Sequence, residues 1–147
     1  MSRAPAIAAD GRRPWHEALE HGAVRDLWVH ATTWPALLAE AGRAVGEELL
    51  TGVPAIPSQR IRELEVVAAG RERLLTRWLN ELLYHAQAEW WIPVDFAELY
   101  ATDGAARARV RCVRPSEPPG ALTTAALERV EVHDVPGGLE ARIVLQA

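Results

Sequence analysis

GRERLLTRWLNELLYHAQAEWW, residues 70–91, is the stretch whose reading decides the fold. Leu74, Trp78 and Leu82 recur at four-residue spacing, as do Leu75, Leu79 and Leu83. That period predicts a helix with two adjacent apolar ridges on one side. Arg71, Glu72, Arg73, Arg77 and Glu81 fill much of the other side. Six large apolar side chains do not stay in water when burial stabilises each by roughly 1.5–3 kcal/mol. The helix must be clamped against a sheet or another helix, which the rest of the chain has to supply.

The chain has 147 residues, 49% of them apolar and 24% charged, enough for one domain with a real core. Residues 1–14, with Pro5, Gly11 and Pro14, are expected to form a flexible arm, and residues 15–147 a single domain. No run approaches the roughly 18 apolar residues of a membrane span, and the N-terminus lacks the apolar segment of a secretory signal. A cytoplasmic protein is the expectation. The single cysteine, Cys112, excludes an intrachain disulfide framework and a cysteine-based zinc cluster. Net charge is −4, from 16 basic and 20 acidic residues, which disfavours wrapping a large polyanion but leaves room for a local basic patch. The six tryptophans serve core packing as readily as base stacking.

Working outward from residues 70–91, the upstream chain reads as strand, helix, strand. Trp15 to His21 opens a strand, and Gly22 suggests a bulge or bend. In Arg25 to Ala31, Leu27, Val29 and Ala31 alternate with Asp26, Trp28 and His30, an amphipathic strand. Thr32-Thr33 is a plausible N-cap with Pro35 in the first turn, opening a helix to about Leu50. Gly42 and Gly46, four apart, mark either close approach to another backbone or simple tolerance within a long helix. Gly52, Pro54 and Pro57 end that element, and Arg60 to Ala68 follows as a short strand with Leu64 and Val66 inward.

Downstream, Trp90 to Ala101 is a strand whose Pro93 assigns its start to an edge or turn. Ala106 to Arg114 alternates most cleanly, with Arg107, Arg109 and Arg111 on one face and Ala108, Val110 and Cys112 on the other. Pro115 to Gly120 is a loop by composition. Leu122 to Ala126 is ambiguous. Val130 to Val135 and Leu139 to Leu145 flank Pro136-Gly137-Gly138 as a terminal hairpin. The order predicts an α+β fold, a two-layer sandwich of mostly antiparallel sheet with two helices packed on one face and the other face comparatively open.

Chemistry is sparsely marked. The five histidines show no HExxH or comparable spacing, and no nucleophile elbow, phosphate loop or dinucleotide fingerprint is present. His16 and His21 lie near Glu17 and Glu20, but on a strand these spacings fall on mixed faces. Cys112 points inward, where a thiol is usually inert. No catalytic residue, cofactor site or metal site is expected. The arginine stripe is the best binding signal: rungs roughly 6–7 Å apart match phosphate spacing along a single nucleic-acid strand. The commoner arrangement is pairing with Glu131, Glu140 or Asp134 on neighbouring strands. An acidic protein partner is the third possibility. Trp28, Trp90 and Trp91 cover either a helix end or a partner-facing surface, with core packing expected for at least one of the Trp90-Trp91 pair.

LLTRWLNELLYHAQAE, residues 74–89, resembles the archease signature LLxxWLxELLY, matched by Leu74, Leu75, Trp78, Leu79, Glu81, Leu82, Leu83 and Tyr84. The family's first strand ends in His-Thr-Ala-Asp, and the corresponding run here is His21-Gly22-Ala23-Val24. The resemblance implies a compact strand–helix–strand–strand domain. It also implies an accessory role for the metal- and guanosine-nucleotide-dependent RNA ligase that joins tRNA halves and repairs RNA ends, promoting guanylylation of the ligase histidine and repeated turnover. Family members bind a divalent metal through the aspartate closing that motif and an acid near the end of the last strand. Here those positions are Val24 and Gln146. Valine cannot coordinate a hard cation and a neutral amide is a weak ligand, so no family-type metal site is expected. Asp26, two residues on and on the same face, is the carboxylate a displaced site would use. The partner surface would draw on the N-terminal arm, the region of His21 and Asp26, and the exposed sheet face with its arginines. The alternatives are a divergent interaction module with no RNA-ligase role, or a single-strand RNA-binding module using Arg107, Arg109 and Arg111.

Overall fold

A computed structural model describes residues 14–117 and 125–146, and apart from the backbone nothing is described of His21. In chain order the elements are β1 (Trp15–His21), β2 (Val24–Ala31), α1 (Trp34–Leu50), β3 (Ala55–Val67), α2 (Arg71–Glu89), β4 (Ile92–Ala101), β5 (Ala105–Pro115), β6 (Ala126–Val135) and β7 (Gly138–Gln146). Residues 1–13 of the expected arm, residues 118–120 of the Pro115–Gly120 loop and residues 122–124 lie outside the described residues.

The α+β sandwich is as expected, and its strands divide into two antiparallel sheets. One has the order β1-β2-β7-β6 and the other β3-β5-β4. Each turns an apolar face to the helix pair, and one continuous core joins them. All six ridge residues of α2 are buried, with Trp78 fully enclosed. Its indole N–H donates to the Leu38 carbonyl of α1 at 3.1 Å, and its ring lies 5.7 Å from that of Phe96 on β4. Trp78 thus ties both helices to the three-stranded sheet. Tyr84, the last residue of the signature, is exposed.

The two glycines of α1 are explained by close approach. A Cβ at Gly46 would run into the backbone carbonyl of Pro93, and one at Gly42 into the Phe96 ring. The cost in helix propensity is accepted because β4 passes directly over the helix. At the other end Thr33 caps α1, its side chain accepting from the Ala36 N–H.

Of the bulge or bend expected at Gly22, the structure has the bend: at φ 65° Gly22 forms with Ala23 the two-residue turn joining β1 to β2, across which His21 and Val24 pair. Two local expectations change. β3 begins at Ala55 rather than Arg60 and contains Pro57, tolerated because β3 is an edge strand whose register shifts between Ile56 and Gln59. Trp90 belongs to the end of α2, not to β4, and sits in the left-handed region at φ 60°. Alternation along β4 is broken by register shifts at Pro93/Asp95 and Ala97/Tyr100, with Glu98 at φ 50°.

Candidate functional site

The corner where the resemblance calls for a cation lies at the open end of the four-stranded sheet. Val24 of β2 is directly opposite both His21 of β1 and Gln146 of β7. The two positions assigned to acidic ligands are therefore cross-strand neighbours, and neither carries a carboxylate. With its nitrogen turned toward Glu128, the Gln146 amide donates to both carboxylate oxygens, at 2.6 and 3.1 Å.

Asp26 is committed elsewhere. It is buried, and both its oxygens accept from Arg142 on β7, at 3.0 and 2.8 Å. This is a bidentate fork, the strongest form of such a pair. The Arg142 guanidinium also lies 5.4 Å from the Trp28 ring centroid, and the pair holds the arginine's pKa above its usual value. Among the described residues no group of three or more His, Cys, Asp or Glu side chains is arranged to hold a metal ion. The described residues at the corner, a valine and an amide already bonded to the lone carboxylate of Glu128, do not fit a divalent cation.

His16 is not part of the WHEALEH cluster that its neighbours suggest. Its Nδ1 lies 2.5 Å from Glu40 and its Nε2 2.9 Å from Glu47, both on α1. Glu40 also accepts from Arg43, which in turn reaches Asp95 on β4 at 3.1 Å. The hydrogen bond to Glu40 does most to raise the His16 pKa to about 9; burial opposes it, and Glu47 adds to the rise. Burial would push the Glu40 carboxyl up, but His16 and Arg43 together hold it below its usual range. The result is a charged imidazolium latch between β1 and α1. Because His16 pairs with Val29 across the sheet, Val29, Leu27 and Ala31 face the helices. Asp26, Trp28 and His30 face the opposite way, and all three are buried. The His30 ring stacks on Trp15 with 6.1 Å between centroids.

The latch was hidden from the sequence. Glu40 and Glu47 are seven apart and so share a helix face, a legible signal. The histidine that meets them comes from a strand 24 and 31 residues earlier.

Arg107, Arg109 and Arg111 do form a ladder on the outer face of β5, the central strand of its sheet. The partners expected from sequence are not there: Glu131, Asp134 and Glu140 belong to the other sheet. Glu65 stands opposite Arg107 and Glu63 opposite Arg109 on β3. Arg109 meets Glu98 at 3.4 Å, Arg111 meets Asp95 at 3.9 Å, and Arg107 lies over the Tyr100 ring at 5.2 Å. Four carboxylates thus share the face with three arginines. Arg43 also reaches one of them, Asp95, so the charges balance and leave no net positive face for a phosphate backbone. Cys112 points inward as expected, and burial pushes its thiol up to about 11, which keeps it an inert thiol.

Two antiparallel sheets on one helix pair, with ion pairs on their outer faces, define a small α+β domain built around surfaces. The archease protein family (MTH1598/TM1083) matches residues 16–145, and the chain belongs to that family. Among solved structures, it is similar to the solution structure of Methanobacterium thermoautotrophicum protein 1598. Identity is 20%, the match covers 90% of this chain and 98% of that one, and the TM-score is 0.57, a likeness of fold. No curated protein matches. No described helix is long and apolar enough to cross a membrane.

Proposed function

We propose that this chain is a non-catalytic accessory protein that acts by contact with a protein partner, an RNA ligase whose guanylylation and turnover it promotes. The observation carrying this reading is the family match over residues 16–145, with the signature ridge seated at the centre of the core. The partner surface in this reading is the open face of the three-stranded sheet, where Ile61, Val67 and Tyr100 stand exposed among paired charges, together with the corner at His21. Paired charges surrounding exposed apolar side chains suit protein contact better than they suit a polyanion. No step is routed through a metal ion.

The test is addition of the purified chain to its cognate ligase, reading guanylylation of the ligase histidine and multiple-turnover joining. Both should rise. If neither changes while the two proteins still associate, the ligase-activating role is wrong. Failure to associate at all would favour the second reading, a divergent relative recruited to a different partner. The missing acids at Val24 and Gln146 favour that reading.

A further inference from the structure

A second group of arginines lies beyond the C-terminal end of α2, on the inner side of the three-stranded sheet where the helix no longer covers it. Arg60 of β3 pairs in register with the inward-facing Cys112 of β5, and Arg114, two residues on, shares that side. Their guanidinium carbons lie 5.9 and 4.5 Å from the Trp91 ring centroid. Among the described residues neither meets a carboxylate. Arg114 donates from Nη2 to the Glu89 carbonyl at 3.3 Å, while its Nε is buried without a hydrogen-bond partner. The carboxylate of Glu89, whose carbonyl accepts from Arg114, is engaged by Arg62 and His85. Two positive charges are therefore left uncompensated beside an indole.

The adjoining residue adds a second, independent sign. Trp90 ends α2 at φ 60° and ψ 29°, its N–H donating to the Ala86 carbonyl. This is the position where helices usually place glycine, because a side chain there is strained. Trp90 is 40% exposed, so burial accounts for only part of a bulky ring at that place. A strained backbone carrying a partly exposed aromatic ring, one residue along the chain from an indole that lies under two arginines, is a combination suited to stacking a base and holding its phosphate.

We propose that Trp90, Trp91, Arg60 and Arg114 form a binding site for single-stranded RNA, with an unstacked base on Trp90 and the flanking phosphates on the two arginines. The site is distinct from the arginine ladder, whose charges are already answered by carboxylates. It needs no ligase, so it stands or falls separately from the accessory role.

The test uses the full chain and a fluorescein-labelled twelve-nucleotide oligouridylate, read by anisotropy across a salt series. Trp90→Gly should weaken binding roughly five- to a hundredfold, the range for loss of one stacked base, while Tm holds or rises because the left-handed strain is relieved. Arg60→Gln with Arg114→Gln should weaken binding and flatten the salt slope by about 1.4, at roughly 0.7 per phosphate. Arg60→Gln alone, at an exposed side chain with no carboxylate partner, keeps the test valid if the double variant does not fold. Trp90→Phe should restore much of the affinity. Unchanged affinity in Trp90→Gly and Arg60→Gln would overturn the site, as would an equal loss in Arg109→Gln. Binding of polyglutamate in place of the oligonucleotide would overturn it in favour of an acidic protein segment.

Discussion

On the four-stranded sheet, the side turned away from the helices carries Asp26, His30 and Glu140, exposed by only 4, 3 and 5%. The corresponding side of the three-stranded sheet carries Glu63, Glu65, Arg107 and Arg109, all open to water. Both faces are rich in charge, but the surroundings give that charge different work. Where Asp26 is enclosed it is held by a two-pronged fork from Arg142, because a buried carboxylate without a partner is costly. Where Arg109 is exposed it touches Glu98 at a loose 3.4 Å, in water that screens most of the attraction. Charge count alone says little about what holds a sheet together. Enclosure decides.

Both sheets share one core, and the largest effect is expected there. Trp78→Ala should cost about 3–5 kcal/mol in urea unfolding, with both sheets lost in a single transition. Separate transitions would show two units where one is claimed. Next in size is Asp26→Ala, which leaves Arg142 without its fork. With the arginine side chain 27% exposed, the loss should be about 2–3 kcal/mol, read as a lowered urea midpoint with unchanged slope. A loss under half a unit of energy on that scale would erase the contrast between the faces.

The latch sharpens the comparison through pH. The folded His16 pKa is raised from 6.5 to about 9, so its contribution is fully present below pH 6.5 and fades as pH rises through 9. Unfolding free energy should fall across that window by something on the order of 2 kcal/mol, and His16→Gln should flatten the slope. Glu40 has the opposite sign: its pKa is lowered, so its contribution holds above its unfolded value and is lost as pH falls through the folded one. The smallest effect belongs to the exposed face. Arg109→Gln should change stability by no more than about 0.5 kcal/mol, and a loss equal to that of Asp26→Ala would break the comparison outright.

These contrasts also explain what could be read in advance. The outward stripe of Arg107, Arg109 and Arg111 follows from strand alternation, a purely local property. Their partners do not, because β5 lies between β3 and β4 while Glu131 and Glu140 sit across the fold in the other sheet. In the same way Asp26 was visible as an outward-facing carboxylate, the natural choice for a displaced metal site. Only the pairing of β2 with β7, which sets Trp28 opposite Arg142 and Asp26 one rung away, commits it to the arginine. Nothing in a double tryptophan marks the first as a left-handed helix end, where glycine is the usual sign, so local pattern assigns Trp90 to the following strand.

By itself the sequence determined the two helices, the faces of most strands, the single inward thiol and the family signature. All of these follow from periods of two and 3.6 residues and from contacts within a few positions. The tertiary structure alone decided the split into two sheets, the partners of every outer-face charge, the His16 latch and the uncovered arginines around Trp91. Each of those depends on which distant segments become neighbours, a choice made by the shared burial of one core rather than by local preference.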